Sequence, residues 1–204
     1  MTDETITTYL GKLAERTAAP AGGATAALNA AQAAALLAMT ARYCADSAAG
    51  HAEDAADVIA GADALRDTCA ALMAADGEAY GFVMAAYRLP KTTGEERAAR
   101  SRAIAGALVA AAAPPAEVIA SAARLLEFAE VLEPAASRSV APDLAAAVEA
   151  IRAAVATSRT NLEANLSGIT DPSARDRLTS VVAGATALDA KATQVIAAVR
   201  ARYA

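Results

Sequence analysis

The sequence contains no tryptophan, one histidine and two cysteines among 204 residues, and aromatic residues make up only 3% of it. The histidine, His51, has no second histidine nearby, which argues against a zinc site. It also leaves no Ser-His-Asp or Cys-His arrangement to assemble. Cys44 and Cys69 lie within apolar helical patterns, so we expect two small buried residues in a reducing compartment rather than a disulfide framework.

Positive charge is also sparse. The chain has 18 basic and 23 acidic residues, a net charge of −5, and its basic residues are scattered along the sequence. Without a basic stripe and interleaved aromatic residues, the sequence predicts no nucleic-acid partner. Its first residues, MTDETITTYL, lack the basic and apolar regions of a signal or transit peptide, so we expect a cytoplasmic protein.

Alanine is the most abundant residue, at about a third of the chain against the average usage of globular proteins. It is the best helix former because ordering it costs no side-chain entropy. Clusters of β-branched and aromatic residues, which favour strands, are scarce. The composition therefore predicts an all-α protein. Alanine on several helix faces also allows close packing and self-association.

Proline, glycine and helix-capping residues divide the chain into about seven helices. We predict an up-and-down bundle that forms one domain over residues 1–204. The expected helices cover residues 4–17, 24–46 and 53–87; a fourth ends at Pro114–Pro115, a fifth ends before Pro134, a sixth begins at Asp143, and the last begins at Asp171–Pro172. Thr93 and Glu96 have the spacing of a capping box at the start of the fourth.

The longest uncharged stretch, residues 17–41, is long enough to be considered as a membrane span. Alanine is only weakly hydrophobic, however, and Asn29 and Gln32 would then lie among lipid tails. A helix that is buried on all sides inside a bundle explains the same composition. We therefore expect no membrane association.

An acidic residue, Asp76, interrupts the apolar stripe of the third helix. Apolar residues recur around it at spacings of three and four, from Leu65 to Tyr87. A carboxyl group desolvated in such a stripe has a raised pKa, which suits proton transfer. The alternative is that Asp76 lies at the edge of the stripe and is bonded to Tyr80 or to an arginine.

Two turns carry groups that can bind a ligand. The PAGG turn, with Gly22, Gly23 and Thr25, presents backbone amides at a helix N-terminus, which attract oxygen anions. No Lys-Ser or Lys-Thr pair follows it, so it is not a P-loop; by itself, a Gly-Gly turn is most often a tight connection. Lys91, in the loop RLPKTTGEER, can anchor a carboxylate or simply be solvated.

The sixth helix contributes the remaining candidates. Asn161 and Asn165 are spaced i, i+4 and flank an apolar row, so both can reach one cleft. Asp143 is predicted to be the N-cap of this helix.

With these segments in order, the chain resembles the cyclodeaminase/cyclohydrolase family, which includes formiminotetrahydrofolate cyclodeaminase domains and stand-alone methenyltetrahydrofolate cyclohydrolases. The segment DGEAYGFVMAAYRLPKTTGEER resembles the family's most specific signature, and YLGKLAERTAAPAGGATAAL, PAEV and NLEANLSGITD resemble three others. Some loops depart from the pattern: Ala24 and Thr25 replace a glycine and a serine of the glycine turn, a Gly-Lys after the second helix is absent, and PDLA before the sixth helix keeps only Asp143 of the usual motif.

The resemblance implies an all-α bundle, a homodimer, and a folate cleft near the glycine turn, with no metal and no cofactor beyond the tetrahydrofolate substrate. Its implied chemistry is cyclodeamination or cyclohydrolysis by acid–base catalysis. We assign Asp76 as the base, with Lys91 and Asp143 as proton-transfer or orienting partners. The pterin-binding residues would be Asn161 and Asn165, and the turn at Gly22, Gly23 and Thr25 would hold an anion or carbonyl.

Two other functions remain open at this point. The loop departures are compatible with a degenerate member that binds folate or another small molecule without converting it. A purely structural bundle is the third possibility, and it predicts no thermal stabilisation by folates, because only a ligand that binds the native state raises apparent stability.

Overall fold

A computed structural model describes residues 4–45 and 52–203 of the chain, which leaves His51 and Asp46 outside the described residues. These residues form seven helices: α1 (Ile6–Ala14), α2 (Gly22–Ala45), α3 (Ala52–Tyr87), α4 (Gly94–Ala111), α5 (Ala113–Ala135), α6 (Ala141–Leu166) and α7 (Pro172–Ala201). Only Ala112 separates α4 from α5, so the two helices follow each other almost without interruption. The predicted all-α bundle is confirmed for the described part of the chain.

Local signals at two helix starts are confirmed. The Thr93 hydroxyl accepts a hydrogen bond from the backbone N–H of Glu96, and the Glu96 carboxylate accepts from the backbone N–H of Thr93. Asp171 caps α7 by accepting from the N–H of Ala174 at 2.6 Å. These side chains satisfy backbone donors that the first helical turn leaves unpaired.

Several other boundaries differ from the prediction: α1 ends at Ala14 rather than at residue 17, α2 begins at Gly22 rather than at residue 24, and α4 ends at Ala111. Asp143 is not the N-cap of α6, because the helix already begins at Ala141, and Val140 occupies the cap position without a side-chain hydrogen bond. Pro142 lies in the first turn, where its missing N–H costs nothing. The predicted end before Pro134 is also wrong, because α5 continues to Ala135. Near the helix end, a proline removes only one backbone hydrogen bond.

Helix α2 lies at the centre of the bundle and packs against α3, α5 and α6. Small side chains make this position possible, since nine alanines of α2 are among its buried residues. They let the neighbouring helices approach closely, and larger residues such as Leu37, Leu125 and Ile151 fill the remaining space. Gly61 shows how close the packing is, because a Cβ atom there would overlap the ring of Phe128 on α5.

The two most apolar stretches of the described chain, Gly22–Ala45 and Gly94–Ala135, are long and apolar enough to cross a membrane by length and composition. In the first, 61% of the most apolar window is buried inside the bundle, which explains its lack of charge. In the second stretch, 33% of the most apolar window is buried.

Helix α1 lies at the edge of the fold. Its apolar residues do not form a core face: Ile6 is 79% exposed and Leu10 is 53% exposed, whereas Tyr9 is buried. The loop after α1, residues 15–21, leads to the diglycine start of α2. Ala19 in this loop lies against α3, since a Cβ on Gly77 would come 3.0 Å from the Ala19 Cβ.

Candidate functional site

A cavity of about 420 Å³ lies where the loop before α2, the last third of α3 and the last turns of α6 meet. The α4–α5 junction closes another side. The residues that line the cavity come from all of these elements: Thr17, Ala18, Ala21, Gly22, Gly23, Asp76, Tyr80, Val83, Ala111, Pro115, Asn161, Ala164 and Asn165. Five of the eight predicted site residues therefore line one cavity: Gly22, Gly23, Asp76, Asn161 and Asn165.

Asp76 is half-buried and is the charged residue among the described lining residues. Burial raises the pKa of its carboxyl group above the ordinary value, because desolvation disfavours the charged form. A hydrogen bond from the backbone N–H of Ala24 acts in the opposite direction but is the smaller effect. The predicted direction of the pKa shift is confirmed, and the result is a carboxyl group suited to accept and return a proton.

The partner of Asp76 is neither of the two that the sequence offered. Instead of Tyr80 or an arginine, the carboxylate accepts from Ala24, the third residue of α2. The first N–H groups of a helix have no partner within the helix, and they attract negative charge. The Asp76 carboxyl group thus lies close to the N-terminus of α2, although it belongs to α3.

Gly23 allows this approach. A Cβ atom on Gly23 would lie 1.9 Å from the Oδ1 atom of Asp76, far closer than two atoms can pack. At Gly22, by contrast, an added Cβ would meet only the Cγ2 atom of Thr157, at 4.0 Å. The second glycine of the turn is therefore required by the carboxylate that faces it.

The two asparagines of α6 differ in their contacts. The Nδ2 atom of Asn165 donates to the carbonyl oxygen of Ala111, the last residue of α4, at 3.2 Å. Asn165 therefore fixes the α4–α5 junction against α6. The amide of Asn161, one turn earlier, has no hydrogen-bond partner among the described residues, and it is available to a ligand in the cavity.

Two further lining residues belong to α3. Tyr80 and Val83 lie one and two turns beyond Asp76, on the same face. The sequence placed Val83 in the apolar stripe and Tyr80 one turn from Asp76 as a possible bonding partner, but it gave neither residue a role toward a ligand. Their spacing of four and seven residues from Asp76 is the signal that identifies them.

The other three predicted site residues do not line the cavity. The Thr25 hydroxyl donates to the Ala21 carbonyl of its own turn at 3.1 Å. Lys91 lies exposed in the α3–α4 loop. Asp143 is in the first turn of α6, 18 residues before Asn161, which corresponds to about 27 Å along a helix. Within one chain, the structure does not bring Asp143 to Asp76, and the roles of these three residues stay predictions.

A second cavity, of about 350 Å³, lies between α6 and α7, and it contains none of the predicted residues. Its charged groups are paired with one another: Arg152 with Asp189 at 2.8 Å, and Arg159 with Glu163 at 2.8 Å. Residues 4–45 and 52–203 contain no group of three His, Cys, Asp or Glu side chains that could hold a metal ion. That the site works without a metal stays a prediction.

Known proteins resemble this chain in both sequence and structure. The family model described as formiminotransferase-cyclodeaminase matches residues 5–184. A methenyltetrahydrofolate cyclohydrolase from Methylorubrum extorquens (strain AM1) is 33% identical over 172 residues, which cover 83% of this chain and 82% of the relative. The crystal structure of a formiminotetrahydrofolate cyclodeaminase from Thermotoga maritima has the same fold, with a TM-score of 0.88 at 22% identity, over 100% of this chain and 99% of that one.

These matches agree with the segments on which the resemblance was based. The family model spans the glycine turn, the Asp76 segment and both asparagines, and so includes every residue identified in the cavity. The chain therefore belongs to the formiminotransferase-cyclodeaminase family.

Proposed function

We propose that this protein hydrolyses 5,10-methenyltetrahydrofolate to 10-formyltetrahydrofolate in the cavity around Asp76. The observation that carries the proposal is the half-buried Asp76 carboxyl group, whose pKa is raised by desolvation inside a cavity. The choice of hydrolysis is supported by the 33% identical relative, which is named a methenyltetrahydrofolate cyclohydrolase.

The reaction needs a base beside a planar cation. The Asp76 carboxylate accepts a proton from water, and the water oxygen bonds to the methenyl carbon between N5 and N10. The resulting carbinolamine is neutral. Its C–N5 bond then breaks as the hydroxyl proton is lost and N5 gains a proton, which leaves the formyl group on N10. The proton held by Asp76 passes to solvent, so the overall reaction releases one proton.

The remaining lining residues bind and orient the substrate in this proposal. The free amide of Asn161 is placed to hydrogen-bond the polar edge of the pterin, and Asn165 holds the cavity wall at Ala111 while it lines the same space. Gly23 leaves room for the Asp76 carboxylate to reach the start of α2, and both glycines line the cavity. Positioned acid–base catalysis of this kind contributes about 10²–10⁴-fold to a rate.

Cyclodeamination of formiminotetrahydrofolate is a second candidate, and the description of the matched family favours it. There, N10 attacks the formimino carbon on N5, the five-membered ring closes, and ammonia leaves. The attack is intramolecular, so the substrate itself provides the proximity of the reacting atoms. Asp76 would accept the N10 proton and return a proton to the departing amine. The same site therefore serves either reaction.

The wider setting follows from the same family. We propose a cytoplasmic homodimer that forms a single domain and needs no cofactor beyond the folate substrate. The proposed reaction uses only residues that line the cavity of one chain. It therefore does not require three of the predicted residues, Thr25, Lys91 and Asp143.

One experiment distinguishes the candidates. The protein is mixed separately with methenyl- and formiminotetrahydrofolate, and both the absorbance of the methenyl chromophore and the melting temperature are followed. Loss of the chromophore faster than in buffer supports hydrolysis, and its appearance from the formimino compound supports cyclodeamination. Stabilisation without turnover identifies a folate-binding protein that is not an enzyme. If the protein shows no turnover and no stabilisation by either folate, the folate proposal is overturned.

A further inference from the structure

Tyr80 is the aromatic residue among the described lining residues of the Asp76 cavity, and it has no partner of its own there. Its side chain is 44% exposed although it lies at a cavity. Since Tyr80 follows Asp76 by four residues on α3, their Cβ atoms are about 6 Å apart on one helix face. A ligand that contacts the carboxylate is therefore within reach of the ring as well.

Other aromatic rings in the protein show what their faces attract. The Arg100 guanidinium lies 5.5 Å from the centre of the Tyr87 ring, Arg124 lies 4.8 Å from that of Phe128, and Arg138 lies 5.1 Å from that of Tyr203. A planar cation over an aromatic face is attracted by the negative potential of the ring. Among the described residues, no arginine lies over the ring of Tyr80.

The charges around Tyr80 favour a ligand with a positively charged group. Asp76 is acidic, and no Lys, Arg or His is among the described residues that line this cavity. An anionic group placed here would meet the Asp76 carboxylate without a compensating positive side chain, whereas a cationic group would be attracted to both the carboxylate and the ring.

We propose that Tyr80 binds the planar, positively charged N5–CH–N10 bridge of the ring-closed folate against its aromatic face, and that it thereby selects the cationic ring over the neutral open product. This inference rests on the proposed function for the identity of the ligand. It assigns Tyr80 a role in specificity. The ring binds the cation beside Asp76, and the ligand binds more weakly once hydrolysis has removed its charge.

The test compares a charged and an uncharged ligand. Equilibrium dialysis measures the Kd of 5,10-methenyltetrahydrofolate and of 10-formyltetrahydrofolate in an Asp76→Asn background, in which the protein itself should not convert the methenyl compound. Adding Tyr80→Leu should raise the methenyl Kd relative to the formyl Kd by about 2- to 30-fold, the range expected for a lost cation–π contact. Adding Tyr80→Phe keeps the ring and should leave that ratio within about twofold.

Tyr87→Leu is the matched control, because Tyr87 is on the same helix, is similarly exposed at 46%, and already stacks with Arg100. It should leave the ratio of the two Kd values unchanged. Melting temperatures establish that each variant is folded. An unchanged ratio in Tyr80→Leu, or an equal loss of affinity for both ligands, would overturn the proposal.

The dialysis also separates the two claims. If wild-type protein binds the methenyl compound but does not convert it, the proposed function fails, while the effect of Tyr80→Leu on the ratio still decides the role of the ring. If the wild type converts the compound and the ratio does not change, the function stands and the role of Tyr80 fails.

Discussion

Replacing Gly23 with alanine tests whether the diglycine turn positions the Asp76 carboxyl group. The added Cβ would lie 1.9 Å from Oδ1, 2.2 Å from Cγ and 2.4 Å from Oδ2 of Asp76. The methyl group thus overlaps all three carboxylate atoms in their present position. Either Asp76 moves away from α2, or the start of α2 moves away from α3.

The size of the movement follows from these distances. An ordinary carbon–oxygen contact begins near 3.4 Å, so the nearest oxygen must shift by 3.4 − 1.9 = 1.5 Å. A misplacement of about 1 Å in a catalytic geometry can cost about 10²-fold in rate. We therefore expect kcat/KM to fall by about 10²-fold or more. Excess volume at a packed position should also cost about 1–3 kcal/mol of the free energy of unfolding.

The assay is the initial rate of methenyl absorbance loss, measured beside the midpoint of urea unfolding. Gly81→Ala is the matched control, since Gly81 is a helical glycine on the same helix as Asp76 and a Cβ there would meet nothing within 4 Å. It should keep both activity and stability.

A double variant separates displacement from unfolding. Asp76→Ala combined with Gly23→Ala removes the carboxylate that the new methyl group would strike, so part of the lost stability should return while activity stays low. Gly23→Ala protein with wild-type kcat/KM would refute the argument that this glycine positions Asp76.

Three further changes test the site and the packing around it. Asn161→Ala should raise KM by about 2- to 13-fold with little change in kcat, as expected for one lost hydrogen bond to bound substrate. The control Gln32→Ala, at an exposed position, should leave KM unchanged. An unaltered KM in Asn161→Ala would exclude the contact between Asn161 and the substrate. Gly61→Ala should lower the free energy of unfolding by about 1–3 kcal/mol, because its Cβ would overlap the Phe128 ring, and an unchanged urea midpoint would contradict that. Thr93→Ala should cost about 1 kcal/mol through the lost capping box, with kcat unaffected; a loss of kcat would give the α3–α4 loop a role that the cavity does not predict.

The sequence predicted features that depend on a few neighbouring residues. The capping box at Thr93 and the start of the last helix at Asp171–Pro172 form as predicted, and in each the side chain accepts from a backbone N–H three residues away. The half-buried position of Asp76 followed from its place in an apolar stripe of α3. That stripe is only partly buried, however: Cys69 lies in the core, whereas Tyr87 is 46% exposed.

Features that depend on contacts between helices could not be predicted in this way. Nothing within α3 identifies the backbone N–H of Ala24 as the partner of Asp76, because the two residues meet only when α2 and α3 pack. Helical spacing placed Asn161 and Asn165 together correctly, but the link between Asn165 and Ala111 spans 54 residues of sequence. Asp143 was assigned to the same site, although the length of α6 separates it from Asn161.

The titration of Asp76 links activity to stability. Its pKa is raised in the folded protein, so between the ordinary pKa of about 3.9 and the raised value the folded state binds more protons than the unfolded state. The contribution of Asp76 to stability is therefore present below the unfolded pKa and is lost as pH rises through the folded pKa. Asparagine can still accept from Ala24 but does not titrate, so Asp76→Asn should become more stable relative to wild type across this pH window.

Turnover of methenyltetrahydrofolate by Asp76→Asn, measured across the same pH range as the wild type, tests the central claim most directly. If Asp76 is the base, wild-type kcat/KM rises with pH through the raised pKa of its carboxyl group. The variant should lose about 10²–10⁴-fold in rate and also lose this pH dependence, while its melting temperature holds or increases. A well-folded Asp76→Asn protein that turns over the substrate at close to the wild-type rate would contradict the account.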